Sequence, residues 1–256
     1  MSEPLALTSV DDGIAHVILN RPHRHNALIP ELLQALRDAL AQCVRERPAA
    51  LLLSARGRPF STGGDVPGFQ AQPAGAARRR YAEDVVGQLN AAIVDLLRLP
   101  CPSVAAVHGM VTGGSIGLVL GCDLIVAGPR ASFVPWYVDV GFSPDGGWTA
   151  LLPARIGAAR ALEIQLLNRG IGAEEAHVWG LVNQLVAVGH ELTAATDLAR
   201  CIAGKRPGSV RRTLALMRPD PDAAAAGLRA EYDHFIEQID SEEADTGMTE
   251  FLGGSG

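Results

Sequence analysis

The chain has 256 residues, 48% of them hydrophobic and 20% charged, with a formal net charge of −6. That length supports one large core with a small appendage, and the acidic balance argues against a broad nucleic-acid or membrane footprint. No apolar run reaches the roughly 18 residues that crossing a bilayer requires, and the opening MSEPLALTSVDDG lacks the basic-then-apolar pattern of a secretory leader, so a cytoplasmic protein is expected.

The elements follow in chain order. Leu5–Val10 and Ile14–Leu19 are β-type runs around Asp11-Asp12-Gly13, which is hairpin chemistry because Asp and Gly accept the positive φ of tight turns. Pro30 stands where a first helical residue belongs, and Leu32, Leu33, Leu36, Leu40, Cys43 and Val44 recur at helical spacing up to Arg47-Pro48. A buried strand at Ala49–Leu53 leads into a loop with Gly57, Pro59 and Gly63-Gly64. A helix through Val85, Val86, Leu89, Ile93 and Leu97 then stops before Pro100 and Pro102.

Short strands at Val104–Val107, Leu124–Ala127 and Ser132–Val134 continue the alternation, which predicts an α/β layered core with parallel strands. Beyond about Pro153 the pattern is purely helical, with helices predicted at Ala158–Asn168, Ala173–Trp179, Leu192–Ala203, Ser209–Met217 and Ala223–Ile239. The division expected is a core domain over 1–195, a helical C-terminal region over 196–252 and a flexible tail over 253–256.

Cys43, Cys101, Cys122 and Cys201 are widely spaced, with no CxxC and no nearby histidine pair, so neither a metal site nor a disulfide framework is expected. Arg21 with Arg24, Arg56 with Arg58, and Arg78-Arg79-Arg80 are candidates for a local patch that holds one polyanionic ligand.

Two glycine turns each follow a β-type run: Phe60-Ser61-Thr62-Gly63-Gly64-Asp65, and His108-Gly109 through Gly113-Gly114-Ser115. Glycine there leaves backbone N–H groups bare toward a ligand, and two such donors converging on one carbonyl oxygen make an oxyanion hole. The second turn also satisfies G-x-S-x-G over Gly113–Gly117, a nucleophile-elbow pattern that would need Asp145 and one of His177, His190 or His234 as partners.

In order, Asn20-Arg21-Pro22, Asn26-Ala27-Leu28, the two glycine turns, Cys122-Asp123-Leu124, Gly141-Phe142-Ser143-Pro144-Asp145-Gly146-Gly147, Ala173-Glu174-Glu175-Ala176 and Gly180-Leu181-Val182 resemble the signature of the crotonase superfamily, the enoyl-CoA hydratase/isomerase family. The resemblance spans roughly residues 5–252. It implies a spiral of repeated β-β-α units with a helical C-terminal region, assembled as a homotrimer or a dimer of trimers, and an acyl-CoA substrate with no cofactor beyond that CoA. Carried over by motif, Gly64 and Gly114 donate N–H groups to the thioester oxygen, Arg24, Ala27 and Gly63 lie at the CoA contact, and Asp65 lies beside the adenine.

Departures from the family bear on the reaction. The two positions that match the hydratase glutamates are Gly117 and Tyr137, whereas Asp145 matches the single acid of isomerase-type members. One carboxylate suffices to carry a proton from the α to the γ carbon of a stabilised enolate, while hydration wants two. Asp145 read alone is also a plausible N-cap for a helix starting near Gly146. Trp136 and Tyr137 are candidates for an acyl pocket, and Asp139 would share a face with Tyr137 if that stretch were extended. An isomerase is therefore expected, with a hydratase, a thioester hydrolase and a catalytically silent CoA-binding subunit as the alternatives.

Overall fold

The structure is a computed structural model that describes residues 3–254. Strands β1 (Ala6–Asp11) and β2 (Ile14–Leu19) form the expected hairpin, with Asp12 and Gly13 both at positive φ in the two-residue turn. Helix α1 (Pro30–Arg45) follows with Pro30 in its first turn. Then come β3 (Ala50–Ala55), a short α2 (Val66–Gln70), the long α3 (Ala76–Leu97) and β4 (Ser103–Val107).

Next are β5 (Met110–Thr112), α4 (Ile116–Leu120), β6 (Leu124–Ala127), β7 (Ser132–Val134), α5 (Tyr137–Val140), α6 (Leu152–Ile156) and α7 (Ala158–Leu166). The chain continues with β8 (Ile171–Gly172), α8 (Ala173–Val178), β9 (Gln184–Leu185), α9 (Glu191–Ala203), α10 (Pro207–Met217), α11 (Pro221–Gln238) and α12 (Glu242–Gly253).

The larger sheet has strand order β1-β2-β3-β4-β6-β9, antiparallel only at its first pair. Its middle strands are buried on both faces, which explains why they read as continuous apolar runs. On one face Leu51, Leu53, Ala105 and Val107 join the main core with α1 and α3. On the other, Leu52, Val104 and Ala106 pack against Ala195 and Ala199 of α9, so residue 195 lies inside a helix laid on the sheet. A smaller sheet, β5-β7-β8, stands beside it.

The structure resolves three local points. The region beyond Pro153 is not purely helical, since the two-residue strands β8 and β9 extend the sheets there; runs that short carry no period to read. Residues 137–140 form a helical turn and not an extended stretch, so Asp139 does not share Tyr137's face. Gly253, expected in a tail, still closes α12, and residues 255 and 256 of that expectation lie outside the described residues. Among the described residues no helix is long and apolar enough to cross a membrane, and no group of acids, histidines and cysteines is arranged to hold a metal ion.

Candidate active site

The two glycine turns are brought side by side by a short stretch of strand-like pairing. Ser61 N–H donates to Met110 O at 3.1 Å and Thr112 N–H donates to Ser61 O at 3.2 Å, bridging Ser61 to Val111. Gly64 and Gly114 each lie three residues beyond that bridge, which is why they arrive together. Gly63 has φ +75°, and a Cβ built on it would stand 2.5 Å from Thr112 O, so only glycine lets the turns close on each other. On the far side, Leu28 N–H donates to Gly63 O at 2.7 Å and Asp65 N–H to Leu28 O at 3.2 Å.

Gly64, Gly113, Gly114 and Asp145 line one cavity of about 200 Å³. Its other walls are mainly apolar: Val66 and Phe69 from α2, Val85 and Leu89 from α3, Trp136, Tyr137 and Val140 around α5, Phe142, Phe235 from α11 and Phe251 from α12. The rings brace one another edge-on, with Phe69 to Phe142 centroids 6.2 Å apart and Phe142 to Phe235 5.5 Å apart. Trp136 sits at φ +67°, an uncommon conformation for a bulky residue, and is held there by its N–H on Asn168 Oδ1 at 2.7 Å.

Asp145 is buried against the second glycine turn; a Cβ on Gly114 would stand 2.9 Å from its Oδ1. The Tyr137 hydroxyl donates to that Oδ1 and also to Asp145 O at 3.1 Å. Burial raises the Asp145 carboxyl to about 7, with the Glu231 carboxylate adding in the same direction and the Tyr137 hydrogen bond opposing. Burial, then the charge of Asp145, pushes the Tyr137 phenol well above its ordinary value. Residues 146–151 form consecutive turns and the next helix starts at Leu152, so Asp145 caps no helix. A raised carboxyl is also the opposite of what an engaged cap produces. Trp148 Nε1–H ties this loop to Gly113 O at 2.8 Å.

The remaining sequence candidates separate clearly. Trp136 and Tyr137 do line the cavity, but Asp139 is exposed and accepts from Asn168 Nδ2. Arg24, Ala27, Gly63 and Asp65 are not in its wall. Asp65 is buried and paired with Arg21 at 3.1 Å and Arg24 at 3.6 Å, which leaves half-exposed Arg24 as the outer member of that cluster. Arg78 is buried and paired with Asp245, so it contributes to no open basic patch. Ser115 is fully buried, its Oγ–H on Thr112 O at 2.7 Å with Ser61 O at 3.3 Å, and it lies outside the cavity wall; the elbow pattern is packing. Position 117 has no room for any side chain, because a Cβ would meet Ile93 Cδ1 at 2.3 Å and Gly146 O at 2.4 Å.

Sequence reasoning missed the phenylalanines that complete the cavity and the buried Glu231 outside its wall. Phe235 and Glu231 were visible only as part of a helical stripe, which does not say what the stripe meets.

Paired glycine turns over an apolar cavity with one buried carboxylate, on this α/β scaffold, define a protein of the crotonase fold. The chain matches the enoyl-CoA hydratase/isomerase family over residues 9–253, and it belongs to that family. Among its relatives, the 1,2-epoxyphenylacetyl-CoA isomerase of Escherichia coli (strain K12) is 35% identical over 77% of this chain and 75% of its own. The 4-chlorobenzoyl coenzyme A dehalogenase-2 of an Arthrobacter species is 33% identical over 75% of this chain and 70% of its own. The crystal structure of an enoyl-CoA hydratase from Bacillus halodurans superposes with a TM-score of 0.89 at 21% identity, covering 96% of this chain and 99% of that one, a likeness of fold.

Proposed function

We propose that this protein is an enoyl-CoA isomerase that moves a double bond, or opens a strained ring, in an apolar acyl-CoA by proton transfer. The observation that carries this reading is Asp145: among the described residues lining the cavity it is the one acid, and its carboxyl is raised to about 7. A base with that proton affinity is half-ionised near neutral pH, so it can accept a proton and return it. In this reading Asp145 takes the α-proton, the N–H groups of Gly64 and Gly114 hold the enolate oxygen, and Asp145 delivers the same proton to the γ carbon. The substrate's own CoA is the only cofactor involved, with Arg24 and Asp65 at its polar end.

Hydration is disfavoured because a second carboxylate is needed and position 117 cannot bear one. Halide displacement, as the dehalogenase relative's name describes, would use Asp145 as a nucleophile and then need a second base to activate the water that frees it, and among the described residues lining the cavity there is no histidine and no other acid to do so. A cavity of about 200 Å³ compares with one of ~150 Å³ that holds benzene, so a single ring or a short chain is the expected acyl group. Assembly as a trimer or a dimer of trimers in the cytoplasm belongs to the same proposal.

The test is direct. The protein is mixed with 3-enoyl-CoA, 2-enoyl-CoA and 4-chlorobenzoyl-CoA while conjugated-thioester absorbance, free thiol and released chloride are followed. Conversion of 3-enoyl to 2-enoyl thioester, lost by on the order of 100-fold or more in Asp145→Asn, is expected. Hydration, thiol release or chloride release without isomerisation would replace the proposal.

A further inference from the structure

Outside the cavity wall stands a second buried carboxylate. Glu231 of α11 is 4% exposed, and among the described residues no Lys or Arg pairs with it. Its partners are instead the loop that follows Asp145. Oε2 accepts from Gly147 N–H at 2.7 Å; Oε1 accepts from Thr149 N–H at 2.7 Å, Thr149 Oγ1–H at 2.7 Å and Ala150 N–H at 2.8 Å. Four donors, three on Oε1 and one on Oε2, engage both oxygens of the carboxylate. One turn earlier on the same helix, Gly227 lets the loop lie close: a Cβ there would meet Ala150 Cβ at 2.9 Å.

This arrangement exceeds what joining a helix to a loop requires. Apolar packing would do that without the cost of burying an uncompensated charge. The loop, however, has glycines at 146 and 147 with φ +65° and +91°, a pair with little preference of its own, and it must hold Asp145 against Gly114. We infer that Glu231 is a positioning residue for the reaction: from α11 it grips the backbone of residues 147–150 and thereby sets where the Asp145 carboxylate stands beside Gly114. The inference rests on the reading of Asp145 as the base.

Glu231 also acts through its charge. The titratable groups facing Asp145 are Tyr137 from α5 and Glu231 from α11; α2, α3 and the second glycine turn present Val66, Phe69, Val85, Leu89 and glycine to the cavity. Glu231 raises the proton affinity of Asp145, so its neutral replacement lowers it. Position and charge are thus separable. Glu231→Gln removes the charge and reverses one acceptor, while Glu231→Asp keeps the charge and withdraws the carboxylate by one methylene.

The experiment follows two readouts in the full-length protein. The first is steady-state isomerase kinetics across pH. The second, which needs no substrate, is 13C-carboxyl NMR titration of Asp145, assigned with Asp145→Asn. In Glu231→Gln, kcat should fall by on the order of 10- to 100-fold with KM little changed, since a base misplaced by about an ångström costs that much. The Asp145 midpoint and the acid limb of kcat/KM should move together to lower pH. In Glu231→Asp, kcat should fall while the midpoint stays near that of the unmodified protein.

A folded Glu231→Gln protein with unchanged kcat and an unmoved midpoint overturns the inference, and so does a lowered melting temperature with neither changed. If that variant does not fold, Glu231→Asp and hydrogen exchange in the unmodified protein decide: the Gly147, Thr149 and Ala150 amides should be protected, and exchange as fast as in open loops refutes the grip. Absence of isomerase turnover from the unmodified protein would remove the proposed reaction, while titration and exchange would still judge Glu231's hold on the loop.

Discussion

Replacing Asp145 by Asn tests the site through stability as well as turnover. In the folded protein the Asp145 carboxyl is raised from 3.8 to about 7, chiefly by burial. Between those two values the folded chain holds a proton that the unfolded chain has released. Stability therefore falls as pH rises through this window, with a slope of at most ~1.4 kcal/mol per pH unit for one proton. Over roughly three decades of proton affinity the loss accumulates to about 4 kcal/mol at pH 8 relative to pH 4. Asn does not titrate, so the variant is spared that loss and should gain on the unmodified protein as pH rises. Urea unfolding of both proteins at unit steps from pH 4 to pH 8, analysed for the difference in unfolding free energy, reads this directly. A difference that grows by about 3 to 4 kcal/mol in favour of Asn is the expected result. Parallel curves would show that Asp145 ionises as an ordinary surface carboxylate does, and the argument for a neutral-pH base would collapse.

Tyr137→Phe removes the donor that favours ionised Asp145, so the acid limb of the kcat/KM profile should move to higher pH and turnover at pH 7 should drop; an unmoved limb would mean the hydroxyl bond is not maintained in solution. Ser115→Ala should retain most activity and lose about 1 kcal/mol of stability for its backbone hydrogen bond, as thermal melts and turnover together report; a dead, folded variant would revive a serine nucleophile. Acetyl-CoA binding measured by calorimetry should weaken with added salt, and Arg24→Gln should flatten that dependence; equal salt slopes would move the phosphate contact elsewhere.

Much of the scaffold was legible because it is written in local pattern. The Asp12-Gly13 turn, the Pro30 start of α1 and the doubly buried β3 and β4 each announce themselves within a few residues, through positive φ, a missing N–H or an unbroken apolar run. The two glycine turns and the loop bearing Asp145 were legible for the same reason, and the order of their motifs pointed to the family that the match over residues 9–253 establishes. By contrast, the conformation of residues 137–140 stayed open in the sequence, because four residues at a helical turn carry too little period to distinguish from a strand.

What only the tertiary structure decided is who meets whom. Phe69, Phe142 and Phe235 enclose one cavity from three distant parts of the chain, and each alone is an ordinary buried aromatic. Gly117 reads as a lost catalytic position, yet the reason no acid can stand there is Ile93 and Gly146 O pressed against it. The sequence by itself determined that Asp145 exists at the right place in the motif order. Its proton affinity came from elsewhere: from burial, from Tyr137 eight residues earlier and from Glu231 on a helix that periodicity describes only as amphipathic. Hydrogen bonds and desolvation depend on distances in space, and a one-dimensional pattern records only spacing along the chain.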